Sequence, residues 1–341
     1  MSMSPRLIAA ALFAAGFAQP ATADEPPIAP KVLVITMFGG EAKPWLESEG
    51  LTHKTAAPGL FGTYPDISCS EDGLCLITTG MGYANAASSI AALVFGGKFD
   101  LTKTYFLVAG IAGVDPSQGT VGSAHWARYA VDGGLQQEID AREDPSGWAT
   151  GYFAFGTSAP GFASPKDERY GTEVYRLNED LLQAAFRLTK DVELADNEVA
   201  KQTRAKYAEP VAKAPPQVSI CDTISSDTWW SGALLSAAMD AYAKVMTNGE
   251  AIPCTTQQED NATLTALKRG AEANLLDLNR VAILRTGADF DRQAPGETAA
   301  GSLSLPPEIF LPSIANAHRV GARLAHTIVS DWAAWSVGPP K

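Results

Sequence analysis

Two apolar runs in this chain each end in a glycine-rich segment: Leu74-Cys75-Leu76-Ile77-Thr78-Thr79-Gly80-Met81-Gly82 and Tyr105-Phe106-Leu107-Val108-Ala109-Gly110-Ile111-Ala112-Gly113. Each reads as a buried strand that stops at a glycine turn. In α/β proteins such turns border ligand pockets, because glycine lets backbone N–H groups approach an oxygen-rich ligand. Residues 83–93 follow the first turn with small and apolar side chains and read as a helix. A strand, a glycine turn and a helix make half of a βαβ unit. Taken alone, the two turns are equally compatible with ordinary strand ends.

The rest of the chain alternates in the same way. Strands are expected at 31–38, within a hairpin at 63–82, and at 105–109, 123–132, 217–222 and 280–289. Helices are expected at 173–196, 230–246, 261–273 and 313–335, where apolar residues recur at helical spacing. Residues 147–165 read as a long loop, and 201–216 as a surface excursion. This alternation predicts an α/β fold of three layers, with a central mixed twisted sheet flanked by helices. No linker divides residues 24–341, so they are expected to form a single domain.

The first residues stand apart. Arg6 precedes an apolar stretch at 7–18, and Ala21-Thr22-Ala23 offers a small-x-small cleavage site before Asp24. Residues 1–23 therefore read as a secretory signal peptide. A short membrane anchor is the competing reading, and the run is short for a span. An exported, periplasmic protein follows, with no membrane insertion of the mature chain. The chain has four cysteines, which in an exported protein suggest two disulfides. Cys69 and Cys75 flank the turn Glu71-Asp72-Gly73, which leaves Cys221 and Cys254 as the second pair. The Cys/His spacings match no zinc template, so neither a metal nor a catalytic cysteine is expected. A net charge of −12 argues against nucleic acid as a partner, which needs a basic face.

Carboxylates recur where strands end: Glu41, Asp227, Glu259 and Asp289. Asp260 and Asn261 read as helix caps. In their order, these segments resemble the nucleoside phosphorylase superfamily. They are most similar to its nucleosidase-like branch and to the purine nucleoside permease family. The resemblance covers residues 31 to about 289. It rests on Gly39-Gly40-Glu41, Thr79-Gly80-Met81-Gly82, Val108-Ala109-Gly110-Ile111-Ala112-Gly113, Ser226-Asp227-Thr228-Trp229-Trp230, Gln258-Glu259 and the strand end from Arg285 to Asp289.

The resemblance implies a purine nucleoside ligand and no cofactor. It implies that Asp289 binds the base and protonates it at N7, and that Trp229 and Trp230 pack on the base. Glu259, Gln258 and Thr79 would hold the ribose. Gly40, Gly80 and Gly110 would lie in the loops around the nucleophile or anion. Val108 stands where the phosphorylases carry an arginine, and Glu41 supplies a carboxylate near that site. A carboxylate repels phosphate but can act as a general base on water, so Glu41 favours hydrolysis, unless Lys43 reaches back to bind an anion. Gln258 replaces a methionine of the family pattern, and Ala288 replaces a serine. The additions at 147–165 and 201–216 would cover the pocket or block oligomer contacts. A nucleosidase is the first reading. A non-catalytic nucleoside-binding component of uptake with a membrane partner, a phosphorylase, and a homo-oligomer remain open.

Overall fold

The computed structural model describes residues 26–144 and 146–340. The expected signal peptide, 1–23, lies outside the described residues. Fourteen strands and ten α-helices follow in the described chain. The first part holds β1 (Val32–Thr36), α1 (Gly39–Ser48), β2 (His53–Ala56), β3 (Asp66–Cys69), β4 (Leu74–Thr78), α2 (Tyr83–Phe95) and β5 (Tyr105–Val114). The middle holds β6 (Ala124–Trp126), β7 (Tyr129–Asp132), β8 (Gln137–Glu138), β9 (Tyr152–Phe153), β10 (Val174–Arg176), α3 (Glu179–Thr189), α4 (Glu198–Arg204) and α5 (Pro210–Lys213). The last part holds β11 (Val218–Ile220), β12 (Asp222–Ser225), α6 (Ala233–Met246), β13 (Pro253–Gln257), α7 (Asp260–Glu272), β14 (Val281–Phe290), α8 (Ala299–Ser302), α9 (Phe310–Ser330) and α10 (Trp332–Trp335).

Twelve strands form one mixed sheet. Its centre is β5, which pairs in parallel with β1 and β14. Apart from Thr36 of β1 and Arg285, Thr286 and Asp289 of β14, these three strands are apolar on both faces, as expected for strands covered by helices on each side. On one face Val32, Val34, Tyr105 and Leu107 pack with Trp45 of α1 and the apolar stripe of α9. On the other face Leu33, Ile35, Phe106 and Val108 pack with Ile90 and Leu93 of α2 and Leu264 and Leu267 of α7. The three-layer α/β architecture is as the sequence predicts.

Three local expectations are corrected. The helix expected at 173–196 is only α3, Glu179–Thr189, and Val174–Arg176 before it is the strand β10. Gly39-Gly40-Glu41 is not a turn but the first turn of α1. Gly110 to Gly113 is not a turn either, since β5 runs through both glycines to Val114. The reason is on the neighbouring strand, where β14 supplies a parallel partner along this whole stretch.

The other edge of β5 changes partner. The β1 ladder covers Tyr105 to Val108 and stops, and β13 joins only at Gly113 and Val114, in the antiparallel sense. Between them the sheet splits beside residues 109–112.

Both expected disulfides are formed. Cys69–Cys75 closes the β3–β4 hairpin, and Cys221–Cys254 ties the start of β12 to β13. Their sequence separations are 6 and 33 residues. Loop-closure entropy grows with the logarithm of loop length, so the longer bridge should stabilise by about 1.5 kcal/mol more. Urea midpoints of Cys69→Ser/Cys75→Ser and Cys221→Ser/Cys254→Ser should rank in that order, the second pair being the less stable.

Candidate active site

The split in the sheet leaves backbone groups of β5 without a strand partner, and buried backbone groups need one. Two side chains take that place. Glu41 Oε1 accepts from the Ile111 N–H at 2.8 Å, and Arg285 Nη1 donates to the Ile111 carbonyl at 3.0 Å. Gly110 makes this approach possible. A Cβ there would lie 2.7 Å from Arg285 Nη1 and 2.8 Å from Glu41 Oε1, closer than real Cβ atoms come.

Glu41 is set by its helix. It is the third residue of α1, and its Oε2 accepts from the Met37 N–H at 2.8 Å, a fold-back like that of a capping-box glutamate. The carboxylate is buried. Burial raises its pKa to about 7, against the lowering pull of Arg285 and the two backbone N–H donors. Glu259 nearby adds to the rise.

Glu259 precedes α7. Gln257 Oε1 accepts from the N–H groups of Glu259 and Asp260 at 2.8 and 2.9 Å, and so caps that helix. Gln257 Nε2 donates to Thr223 Oγ1 and Ser225 Oγ, which anchors the cap in the core. Glu259 then accepts from the Gly82 N–H and from Arg285 Nη2, both at 3.2 Å. Its pKa is also raised, chiefly by burial, with Arg285 opposing.

Asp260 differs from the sequence expectation. It is fully buried and holds Arg285 at 2.5 Å, rather than capping a helix in solvent. Asn261 is likewise an internal tie: its Nδ2 donates to the Thr172 carbonyl and its Oδ1 accepts from Ser225 Oγ. The sequence assigns no role to Arg285 or Gln257, and only that of a cap to Asp260. The signal that could have found them is a buried-strand run containing an arginine, which demands a carboxylate partner elsewhere.

Glu41, Glu259, Gln258, Trp229 and Asp289 line one cleft with Arg285. Its volume is about 200 Å³, and it opens to solvent at its mouth. Arg285 and Asp289 lie four residues apart on β14, on the order of 10 Å. Asp289 is buried, and burial raises its pKa to about 7, with the Asp291 carboxylate adding to the rise. Trp229 is 56% exposed on the rim, near the exposed Met81. Gln258 Nε2 donates to the Asp227 carbonyl, and Asp227 Oδ1 accepts from the Tyr83 N–H, so the loop carrying Trp229 is tied to both α2 and the start of α7.

Other expected residues lie off the cleft. Thr79 is fully buried and directs its hydroxyl at the carbonyls of Thr36 and Gly80. Trp230 alternates inward from Trp229 and packs with Met239 and Tyr242 in a separate core cluster. Gly40 lies inside α1, and Gly80 sits against Asn85 and Phe61. Gly110 lies under Glu41 and Arg285. Lys43 points outward and pairs with Glu47. Residues 147–165 and 201–216 do not border the cleft either. Among the cleft-lining residues Arg285 is the one cation, and carboxylates already hold it. His125, Cys221 and Cys254 form a buried group of metal-ligand type, but the two sulfurs are bonded to each other.

The family model described as purine nucleoside permease (NUP) matches residues 29–340. A probable purine nucleoside permease of Schizosaccharomyces pombe is 41% identical over 319 residues, covering 90% of this chain and 91% of the relative. A purine nucleoside permease of Candida albicans is 39% identical over 320 residues, covering 89% and 76%. Among solved structures, the 5′-methylthioadenosine/S-adenosylhomocysteine nucleosidase of Neisseria meningitidis has a TM-score of 0.51 at 17% identity, covering 88% of this chain and 99% of that one. Futalosine hydrolase of Helicobacter pylori has a TM-score of 0.51 at 12% identity, covering 87% and 98%. At those identities the structural likeness concerns the fold.

Removing one partner of a buried ion pair strands the other, so Asp260→Ala should cost about 3–5 kcal/mol, read as a lowered denaturation midpoint. Asp289 gives a second expectation. It keeps its proton in the folded protein up to about pH 7, whereas the unfolded chain loses it near the usual carboxylate value. Its contribution to stability is therefore full at low pH and declines as pH rises from about 4 to about 7. Asp289→Asn should be more stable than the parent above pH 7, with the gap closing towards pH 4 in thermal melts.

Proposed function

This chain belongs to the purine nucleoside permease family, and from that membership we propose that it binds purine nucleosides and hydrolyses their N-glycosidic bond. The supporting observation is a pair of buried carboxyl groups, Glu41 and Asp289, each with a pKa raised to about 7, both lining one cleft. Glu41 lies by Arg285 and Glu259, and Asp289 lies further along β14. The spacing suits a sugar at one end and a base at the other.

In this reading the base leaves as the C1′–N9 bond breaks and the electron pair goes to the purine. Asp289, protonated, gives its proton to N7 and so lowers the charge on the leaving group. Glu41, ionised, takes a proton from the water that bonds to C1′. The products are the free base and ribose, and solvent returns the proton from Glu41 to Asp289. Glu259 accepts hydrogen bonds from ribose hydroxyls, and its charge favours the cationic sugar of the transition state. Trp229 lays an apolar face against the base at the mouth. Gln258 fits better as the tether of the Trp229 loop, since its amide nitrogen is engaged by Asp227.

Hydrolysis is preferred to phosphorolysis because a phosphate dianion needs cations, and Arg285 is already paired. The relatives' names favour a second reading, a binding component of nucleoside uptake without turnover. No described helix is long and apolar enough to cross a membrane, so uptake would need a membrane partner. Export to the periplasm, as one domain at 24–341, is part of the proposal; the two disulfides are consistent with export.

Incubation with inosine or adenosine, with and without phosphate, separates these readings. Free base and ribose without phosphate are expected. Intact nucleoside recovered from a stoichiometric complex would favour the uptake reading, and base released only with phosphate would indicate a phosphorylase. Turnover should follow a narrow bell against pH centred near 7, because Glu41 must be ionised and Asp289 protonated. Glu41→Gln should lower kcat by about 10²-fold or more with KM little changed. A Glu41→Gln rate equal to the parent's would falsify its role as base.

A further inference from the structure

Three neighbouring strands place three residues in one row. Thr256 of β13 and Asp289 of β14 both stand opposite Gly113 of β5, one on each side. All three border the cleft. The middle position carries no side chain. A Cβ at Gly113 would lie 2.7 Å from Thr256 Oγ1 and 3.8 Å from Asp289 Oδ1, so these two oxygens border a single gap.

Asp289 reaches this row through an irregularity. Gly287 stands opposite Ala112, and the register then slips at Ala288 so that Asp289 faces Gly113. With an unbroken ladder Ala288 would occupy that place. A bulge commonly re-aims a side chain beside an active site.

The Thr256 hydroxyl is available. Its neighbours are engaged: Thr255 Oγ1 donates to the Asp222 carbonyl, and Gln257 is bonded at both ends of its amide. Thr256 Oγ1 has no side-chain hydrogen bond among the described residues, and the residue is only partly buried. A hydroxyl beside a carboxyl, with open space between them, is a two-point polar reader.

We propose that Thr256 and Asp289, with Gly113 as the open floor between them, read the purine edge that carries N7 and the 6-substituent. This rests on the purine nucleoside reading of the cleft. Purines offer an acceptor at N7, and beside it 6-oxo purines carry the O6 acceptor and 6-amino purines the N6 amino donor. Asp289, carrying a proton, donates to N7. The Thr256 hydroxyl donates to O6 or accepts from the N6 amino group, since a hydroxyl does both. The site therefore admits 6-oxo and 6-amino purine nucleosides alike and rejects pyrimidines, which lack this edge.

The test is equilibrium binding of inosine, adenosine and purine riboside, which has no 6-substituent. It is measured in the Glu41→Gln background, where hydrolysis is slowed, with recovery of intact nucleoside checked at the end of each measurement. Adding Thr256→Val should weaken inosine and adenosine each by about tenfold, the scale of one lost hydrogen bond, and leave purine riboside within about twofold. Thr256→Ser should retain the parental pattern, and Gly113→Ala should weaken all three. An equal loss across the three ligands, or none, with Thr256→Val overturns the assignment to Thr256 while leaving the purine reading intact. Absence of binding to all three by both the parent and Glu41→Gln overturns the purine reading itself, and this assignment with it.

Discussion

The structure turns on a missing stretch of β-ladder. β5 loses one neighbour after Val108 and gains another only at Gly113. A buried strand edge cannot be left without hydrogen-bond partners. Here the partners at Ile111 are the carboxylate of Glu41 and the guanidinium of Arg285. The polar groups that complete the sheet are thus the same groups that face the cleft. Their positions are fixed by backbone geometry rather than by flexible side-chain packing, which is what a preorganised site requires.

Charge follows from that arrangement. One guanidinium lies among Glu41, Glu259 and Asp260. Asp260 makes the shortest contact with it, which leaves Glu41 and Glu259 incompletely compensated. Burial then outweighs the attraction, and both carboxyls bind protons more readily than exposed ones do. Asp289 is away from this pairing and meets another carboxylate, Asp291, instead of a cation. Both Asp291 and Asp115 are paired with Arg292. The cleft thereby holds acid and base forms of the same functional group near neutrality, a common basis of proton-transfer sites.

Much of the fold was legible because it depends on local pattern. Apolar runs at 31–38, 105–109 and 280–289 mark the central strands, and the carboxylates at 41, 259 and 289 stand at strand ends. What escaped depends on distant partners. Gly110 to Gly113 reads as a turn until β14 is known to run beside it. Asp260 reads as a cap until Arg285 is known to need it. Trp229 and Trp230 are the same residue type side by side, and only the direction of the loop sends one to the rim and the other to the core. Thr79 belongs to the right segment, but its hydroxyl is taken by the end of β1. The slip at Ala288 leaves no mark in composition or periodicity.

The loop that carries Trp229 has one further consequence. Of the seven tryptophans, this is the one that stands largely in solvent, and it does so at the mouth of the cleft. Its indole emits from a wet environment, while Trp45, Trp126, Trp230 and Trp335 emit from dry ones. That ring lines the cleft, so a ligand inside lies beside it. The molecule therefore carries its own optical reporter of occupancy, legible without any label.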